Sequence, residues 1–303
     1  MTLYALRPMF SYLRLVRLPY LFTAAAEVIT GYLLGQVLID PDFSLFALNP
    51  ELRSEHLTDI ILLSLLSMAL YAAGMVFNDI NDRERDAKIH PRRPLVKREI
   101  KPDSAFWLAV VLSLTALFIS ETISVATTLC TTLIIILIIL YDFGAKNYAV
   151  LSGVNMGILR ALNFLLGITA QWANRQVQTP LILVPFIYIF FITLLSAFEE
   201  KSLSKLPRLC FICFISLALF FPLILVPYPL KGGWVSLILL LYFIPKFVRF
   251  YLSGRGGKLV SAGVLALIPL EASLLVGFNL VAEGLIIIGF IIPVWIFLPF
   301  ASD

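Results

Sequence analysis

Asn78, Asp79, Asp82 and Asp86 occur in the run Asn78-Asp79-Ile80-Asn81-Asp82-Arg83-Glu84-Arg85-Asp86, at spacings of one, three and four residues. On an α-helix, at about 100° per residue, these four side chains fall within an arc of about 100°, on one face. The run begins where an apolar segment of spanning length ends. Carboxylates gathered at such a boundary are costly unless something neutralises them. Hard divalent cations do so, and Mg²⁺ in particular joins a few carboxylates to substrate phosphates. Three carboxylates and an amide oxygen of this spacing therefore read either as ligands for Mg²⁺ with a phosphorylated substrate or as a solvated helix end balanced by Arg83 and Arg85.

The elements that must position this run are membrane helices. The chain has 303 residues, of which 60% are hydrophobic and only 14% charged, with a mean hydropathy of +0.95. Soluble domains carry about 25% charged residues. Runs of about 20 apolar residues cross a bilayer as helices, because lipid offers the backbone no other partner. Such runs lie at about 18–39, 57–77, 104–120, 122–141, 149–170, 180–198, 208–226 and 231–252. The last apolar stretch, 259–300, reads as one span after an interfacial helix or as two spans broken near Glu283-Gly284. The expected fold is an all-α polytopic bundle of about nine spans, or ten if the last stretch is broken, forming a single domain over 1–303 with no soluble domain or linker. The stretch 18–39 is longer than a signal-peptide core and reads as a retained span.

Charge sets the orientation. With the N-terminus inside, nearly all of the 23 basic residues fall on that side; only Arg53, Arg175 and Lys231 fall on the other, and Arg160 lies within a span. By the positive-inside rule the N-terminus and the Asp-rich loop 78–103 face the cytoplasm. The basic residues lie between spans beside the acidic run, a pattern that gives no reason to expect a nucleic-acid partner. Cys130, Cys210 and Cys213 all lie in apolar segments and read as packing residues.

Two charges sit inside expected spans. Glu27, near the middle of the first, is a candidate acceptor contact, a base, or the partner of Arg160. Arg160 must face the bundle interior, toward substrate or toward a structural partner. Glu271 reads as structural or cavity-facing, and His90, in the charged loop, as a weaker candidate.

Asn78-Asp79-x-x-Asp82-x-x-x-Asp86, followed by Arg93-Pro94-Leu95, resembles the first signature of the UbiA superfamily of intramembrane prenyltransferases. Tyr141-Asp142-Phe143-Gly144-Ala145-Lys146 is similar to that family's short loop after the fourth span. Met156-Gly157-x-x-Arg160-x-x-Asn163-x-x-x-Gly167 resembles the EboC-like branch. The resemblance implies Mg²⁺-dependent transfer of a prenyl group from an isoprenyl diphosphate to a small-molecule acceptor within the bilayer. Asp79, Asp82, Asp86 and Lys146 would be catalytic, and Asn78, Arg93, Lys146, Arg160, Asn163 and Glu27 would bind substrate. Asn78, Asp79, Asp82, Asp86, Glu199 and Glu200 would hold metal.

The chain departs from the family pattern at two places. Where the family has a second DxxxD motif, only Glu199 and Glu200 remain, with Ser196 and Ser204 four residues to either side of Glu200. Arg17-Leu18-Pro19 leads to Tyr20 where the family often has Asn, which weakens a phosphate contact there. The rival readings are a catalytically weakened isoprenoid-diphosphate binder or scaffold, and a transporter coupled through Glu27 and Arg160.

Overall fold

The computed structural model describes residues 7–170, 179–199, 225, 227, 231, 234 and 256–300. A short amphipathic helix, α1 (Arg7–Leu15), precedes α2 (Leu18–Ile39). Then follow α3 (Pro50–Asn81), α4 (Arg83–Ile89), α5 (Pro102–Ile123), α6 (Val125–Phe143) and α7 (Ala149–Thr169). A 3₁₀ turn, Ala145–Asn147, joins α6 to α7, and another, Thr179–Ile182, leads into α8 (Leu183–Glu199). The last helices are α9 (Gly256–Leu265), α10 (Leu267–Gly277), α11 (Val281–Gly289) and α12 (Ile291–Phe297).

The sequence marks many of these boundaries. Pro19, Pro50 and Pro102 sit in the first turns of α2, α3 and α5, where a missing N–H costs nothing. Asn49 caps α3 by accepting from the Leu52 amide at 2.9 Å, and Ser124 caps α6 by accepting from Thr127 at 3.0 Å. The extended backbone of Ser124 separates α5 from α6.

Among the described residues, seven helical stretches are long and apolar enough to cross a membrane. They are α2, α3, α5, α6, α7, Val260–Gly277 and Val281–Phe300, with Pro180–Leu194 a shorter apolar helix. Apart from residues 225, 231 and 234, the expected spans at 208–226 and 231–252 lie outside the described residues, as do Glu200, Cys210 and Cys213. The stretch 259–300 is two spans, but the break falls at Phe278–Leu280, before Glu283-Gly284. Asn279 makes that break with φ 69°, a left-handed conformation that asparagine adopts more readily than most residues. Glu283 lies in the first turn of α11 and ties down the 40–49 loop, accepting from Ser44 Oγ at 3.0 Å and the Leu45 amide at 2.9 Å.

Helices α2 and α10 are central, whereas α5 and α6 lie at the periphery. Phe106, Trp107, Val111, Leu114 and Phe118 on α5 and Leu129, Leu133 and Ile136 on α6 point outward as the surface a bilayer would cover. Two glycines set the closest helix contact. A Cβ on Gly31 of α2 would lie 2.1 Å from the Phe164 carbonyl oxygen, and one on Gly167 of α7 would lie 2.2 Å from that of Val28. Only glycine permits this approach. It brings Glu27, one turn before Gly31 on α2, against Asn163 and Arg160, one and two turns before Gly167 on α7.

Candidate active site

The Asp-rich run is not one uninterrupted helix. Helix α3 ends at Asn81, Asp82 stands at the joint, and α4 resumes at Arg83. Helical hydrogen bonds nevertheless continue across the joint, from the Asp82 amide to Asn78 O and from the Asp86 amide to Asp82 O, both 2.8 Å. The shared face is therefore kept. Asp79 and Asp86, both buried, converge on one guanidinium: Arg93 Nη1 donates to Asp79 Oδ1 at 3.1 Å and also to Asp86 Oδ2. Asp82 accepts from Lys146 Nζ at 2.7 Å.

The Arg-Pro-Leu sequel follows from packing. Leu95 is buried against Leu15, Val76, Ile100, Ala105 and Ala109, and this anchor holds the loop so that Arg93 reaches back to the helix end. Proline at 94 restricts Arg93 away from helix. Glu99 pins the same loop to α1 by accepting from Ser11 Oγ at 2.7 Å and from Arg14.

Two residues that sequence reasoning discounted or passed over belong here. Arg17 Nη2 donates to Asp79 Oδ1 at 3.0 Å. Its backbone is left-handed, with φ 52°, which turns the chain sharply between α1 and α2. Such a conformation costs a non-glycine residue about 1–2 kcal/mol. The Asp79 pair and the helix start at Leu18 hold it in place. Asp142 accepts from Lys146 at 3.2 Å, an i,i+4 pair across the turn after α6. Its spacing from Lys146 was a readable signal; nothing in the sequence marked the turn at Arg17.

Burial sets the charge behaviour of this end. It pushes the Asp86 carboxyl above the ordinary aspartate range, against the pull of Arg93. Burial works against the Lys146 ammonium, but hydrogen bonds and attraction from Asp82 and Asp142 outweigh it and raise its pKa.

Next to this end lies a two-lobed cavity, each lobe ≈ 210 Å³. The first lobe has Asn78 and Asp142 at its polar end and Leu70, Ile134, Ile138 and Leu159 as walls. The second runs between α2, α8 and α9, past Ile189, Thr193, Ser196, Ser261 and Val264. Arg17, Tyr71, Met75, Tyr141, Met156 and Arg160 line both. Tyr71 lies seven residues before Asn78 on α3, about 10 Å further from the carboxylate end.

At that depth lies the second polar group. Asn163 Nδ2 donates to Glu27 Oε2 at 2.6 Å and to the Ala24 carbonyl at 3.0 Å. Ser67 Oγ donates to Asn163 Oδ1 at 2.6 Å. Arg160 Nη1 stands 3.4 Å from Glu27 Oε2, Nη2 donates to Thr23 Oγ1 at 3.2 Å, and the guanidinium lies 4.9 Å from the Tyr71 ring centroid. The structure thus pairs Glu27 with Arg160 and brings both to Asn163. It joins Asp79, Asp82, Asp86, Arg93 and Lys146 into one site with Asn78 beside it. Glu199 ends α8; its side chain and the whole of Glu200 lie outside the described residues.

The donor set fits a hard divalent cation. The oxygens are carboxylate and amide, with cations at their edge, and Asp142 keeps one buried oxygen that accepts no hydrogen bond. Among the described residues no group of three or more His, Cys, Asp or Glu side chains converges as a ready-made metal cage. Mg²⁺ commonly takes one or two carboxylates and completes its shell with water and substrate phosphate, and that mode suits these residues.

The UbiA prenyltransferase family model matches residues 45–262, and the chain belongs to that family. A solved structure of digeranylgeranylglyceryl phosphate synthase is 21% identical, covers 94% of this chain and 99% of its own, and superposes with a TM-score of 0.56. A UbiA homologue from Aeropyrum pernix K1, without ligand, is 14% identical over 87% of this chain and 97% of its own, at a TM-score of 0.58. A homologue from Archaeoglobus fulgidus, solved with DMAPP and Mg²⁺, is 17% identical over 92% of this chain and 99% of its own, at 0.51. At these identities the likeness is one of fold. No curated protein matches the chain.

Proposed function

We propose that this member of the UbiA prenyltransferase family moves a prenyl group from an isoprenyl diphosphate to a small-molecule acceptor inside the bilayer, with Mg²⁺. The observation that carries this reading is the continuity of the site. The cavity opens at Arg17, Asn78 and Asp142, the residues that adjoin the Asp79–Asp82–Asp86 cluster with its Arg93 and Lys146 partners, and its apolar walls suit a prenyl tail. The Archaeoglobus homologue carries DMAPP or GPP with Mg²⁺ in the same fold.

Asn78, Asp79, Asp82 and Asp86 would hold Mg²⁺, with Glu199 and Glu200 as a second carboxylate pair. Bound there, Mg²⁺ neutralises diphosphate and makes it a better leaving group. Lys146 and Arg93 supply positive charge where the departing diphosphate gains negative charge. Each is now paired with carboxylates that a metal would also engage, so ligand binding would release donors toward phosphate oxygens. The apolar walls exclude water from the allylic end. Asn163 and Arg160, with Glu27 buried behind them, form the floor, away from the diphosphate, where an acceptor's polar group would lie. The charge bias places the N-terminus and the Asp-rich end on the cytoplasmic side. The Arg160/Asn163/Gly167 pattern points to the EboC-like branch.

The test uses purified protein in lipid nanodiscs with an allylic diphosphate. Mg²⁺-dependent release of diphosphate, lost in EDTA, is expected; normal release in EDTA would sink the reading. Mass spectrometry of lipids gained on expression in a clean host would then identify the acceptor. One observation favours a second reading, a weakened diphosphate binder: Ser196, where the family carries a carboxylate, lines the cavity. Tight binding of the diphosphate without Mg²⁺-dependent cleavage would select that reading.

A further inference from the structure

Glu271 has no part in the chemistry above. It lies on α10 and is 0% exposed, as is Glu27 on α2. It stands within electrostatic reach of both Glu27 and Arg160. Two fully buried carboxyl groups and one guanidinium thus lie within electrostatic reach of one another in the centre of the bundle.

The hydrogen bonds around them are unbalanced. Glu27 Oε2 accepts from Asn163 and faces Arg160. Glu27 Oε1 and both oxygens of Glu271 are buried and have no hydrogen-bond partner among the described residues. The Thr30 hydroxyl, beside Glu271, gives its proton to the Ala26 carbonyl at 2.9 Å. Ser273, two residues on, gives its own to Leu270 O at 2.7 Å. Three acceptor oxygens therefore lack a donor, and two ionised carboxylates against Arg160 would leave a net buried charge. An uncompensated buried charge costs several kcal/mol, on the order of 3–5.

We propose that Glu27 and Glu271 hold a single proton between them, making a carboxyl–carboxylate pair whose one negative charge Arg160 balances. One proton removes the net charge and supplies one of the missing donors. It resides on Glu271, because Asn163 and Arg160 already favour the ionised form of Glu27. The proton has a structural consequence at the cavity. With Glu27 as its sole anionic partner, Arg160 keeps only the long contacts of 3.4 and 3.2 Å, leaving its remaining donors along the wall that both lobes share. Glu271 is thus a positioning residue: it sets the charge of Glu27 and, through Glu27, the aim of Arg160. The charged or titratable groups facing the pair from the packed helices are Arg160 on α7 and, across that guanidinium, Tyr71 on α3.

Infrared difference spectra of protein carrying isotope-labelled glutamate test the proton count, and they need no catalytic activity. At neutral pH the parent should show a protonated glutamic-acid C=O band. The band should vanish in Glu271→Gln, where Glu27 alone pairs with Arg160. It should vanish equally in Glu27→Gln, where Glu271 takes over the charge. Arg160→Gln removes the cation and should enlarge the band to about twice its size, because both acids then become neutral. Absence of the band from the parent, or its survival in both single glutamine variants, would overturn the proposal. If a variant fails to fold, the parent decides alone: the band must persist as pH rises through the ordinary glutamate range.

Discussion

The two polar regions of this bundle solve the problem of charge in lipid in opposite ways. At the mouth, Asp79, Asp82 and Asp86 meet Arg17, Arg93 and Lys146 in bonds that a ligand can exchange. At the floor, Glu27 and Glu271 share one cation, with no exchangeable partner in view and no exposure. The mouth carries ion pairs whose carboxylates have other uses. The floor carries a fixed charge held by amide, hydroxyl and guanidinium groups. The difference fits the proposed division, with the diphosphate handled at the mouth and the acceptor end of the cavity held in fixed geometry at the floor.

The comparison breaks first if the mouth is not needed. Asp79→Ala or Asp82→Ala should reduce Mg²⁺-dependent diphosphate release by about 10²–10³-fold, the scale lost when one preorganised charge-stabilising group is removed. Folding should survive, because Arg93 retains Asp86 and Lys146 retains Asp142. Release rates and thermal unfolding of the same nanodisc samples check both halves. Turnover within threefold of the parent would remove these aspartates from the chemistry.

The floor should respond in the reverse sense. Gly31→Ala places a Cβ 2.1 Å from the Phe164 carbonyl oxygen, and backbone there cannot give way cheaply. Helices α2 and α7 must part, at a cost of about 1–3 kcal/mol. Glu27 then separates from Asn163. A lowered unfolding midpoint is expected while Mg²⁺ affinity at the mouth remains unchanged. If metal affinity fell as much as stability, the two regions would not be independent.

The mouth was largely legible in the sequence and the floor only partly so. Spacings of one, three and four residues report a helix face directly, so Asp79, Asp82 and Asp86 were readable from local sequence. Arg93 was readable from its short distance to the same boundary, and Lys146 from the resemblance of its loop and its expected place on the same side of the membrane. Arg17 was undervalued because its position depends on a left-handed turn that no residue type announced. Glu27 and Arg160 were recognisable as intramembrane charges. Glu271, by contrast, meets Glu27 only through the packing of α10 on α2, and no local periodicity encodes a contact between residues so far apart in the chain. The last apolar stretch left one span or two open, with a break near Glu283-Gly284; the break made by Asn279 lies a turn earlier.

Within the mouth, the cations should matter less than the acids. Lys146→Ala removes two charge-assisted bonds, to Asp82 and Asp142, yet Arg17 and Arg93 remain to face a bound diphosphate. Affinity for a non-hydrolysable diphosphate analogue should fall about tenfold, near 1.4 kcal/mol, just under the range of about 1.5–3 kcal/mol for a hydrogen bond to a charged group. Arg93→Ala should weaken binding similarly and also loosen the loop anchored by Leu95. Equal analogue affinity in Lys146→Ala and the parent would exclude that lysine as a phosphate contact.

The smallest effect is expected where the chain departs most from its family. Ser196 on α8 lines the second lobe, and Glu200 follows four residues later in the sequence. A carboxylate at 200 without one at 196 offers a second metal a single strong ligand rather than a pair, so this metal should already be weakly held. Glu200→Gln should therefore slow diphosphate release only a few-fold at saturating Mg²⁺, and more at low Mg²⁺. Raising Mg²⁺ should restore the rate, because weakened binding responds to mass action. Ser196→Asp, which restores the spacing of four residues with Glu200, should shift the Mg²⁺ dependence to lower concentration. A Mg²⁺ dependence identical in the parent, Glu199→Gln, Glu200→Gln and the double variant would leave the aspartates of the first motif as the only metal ligands.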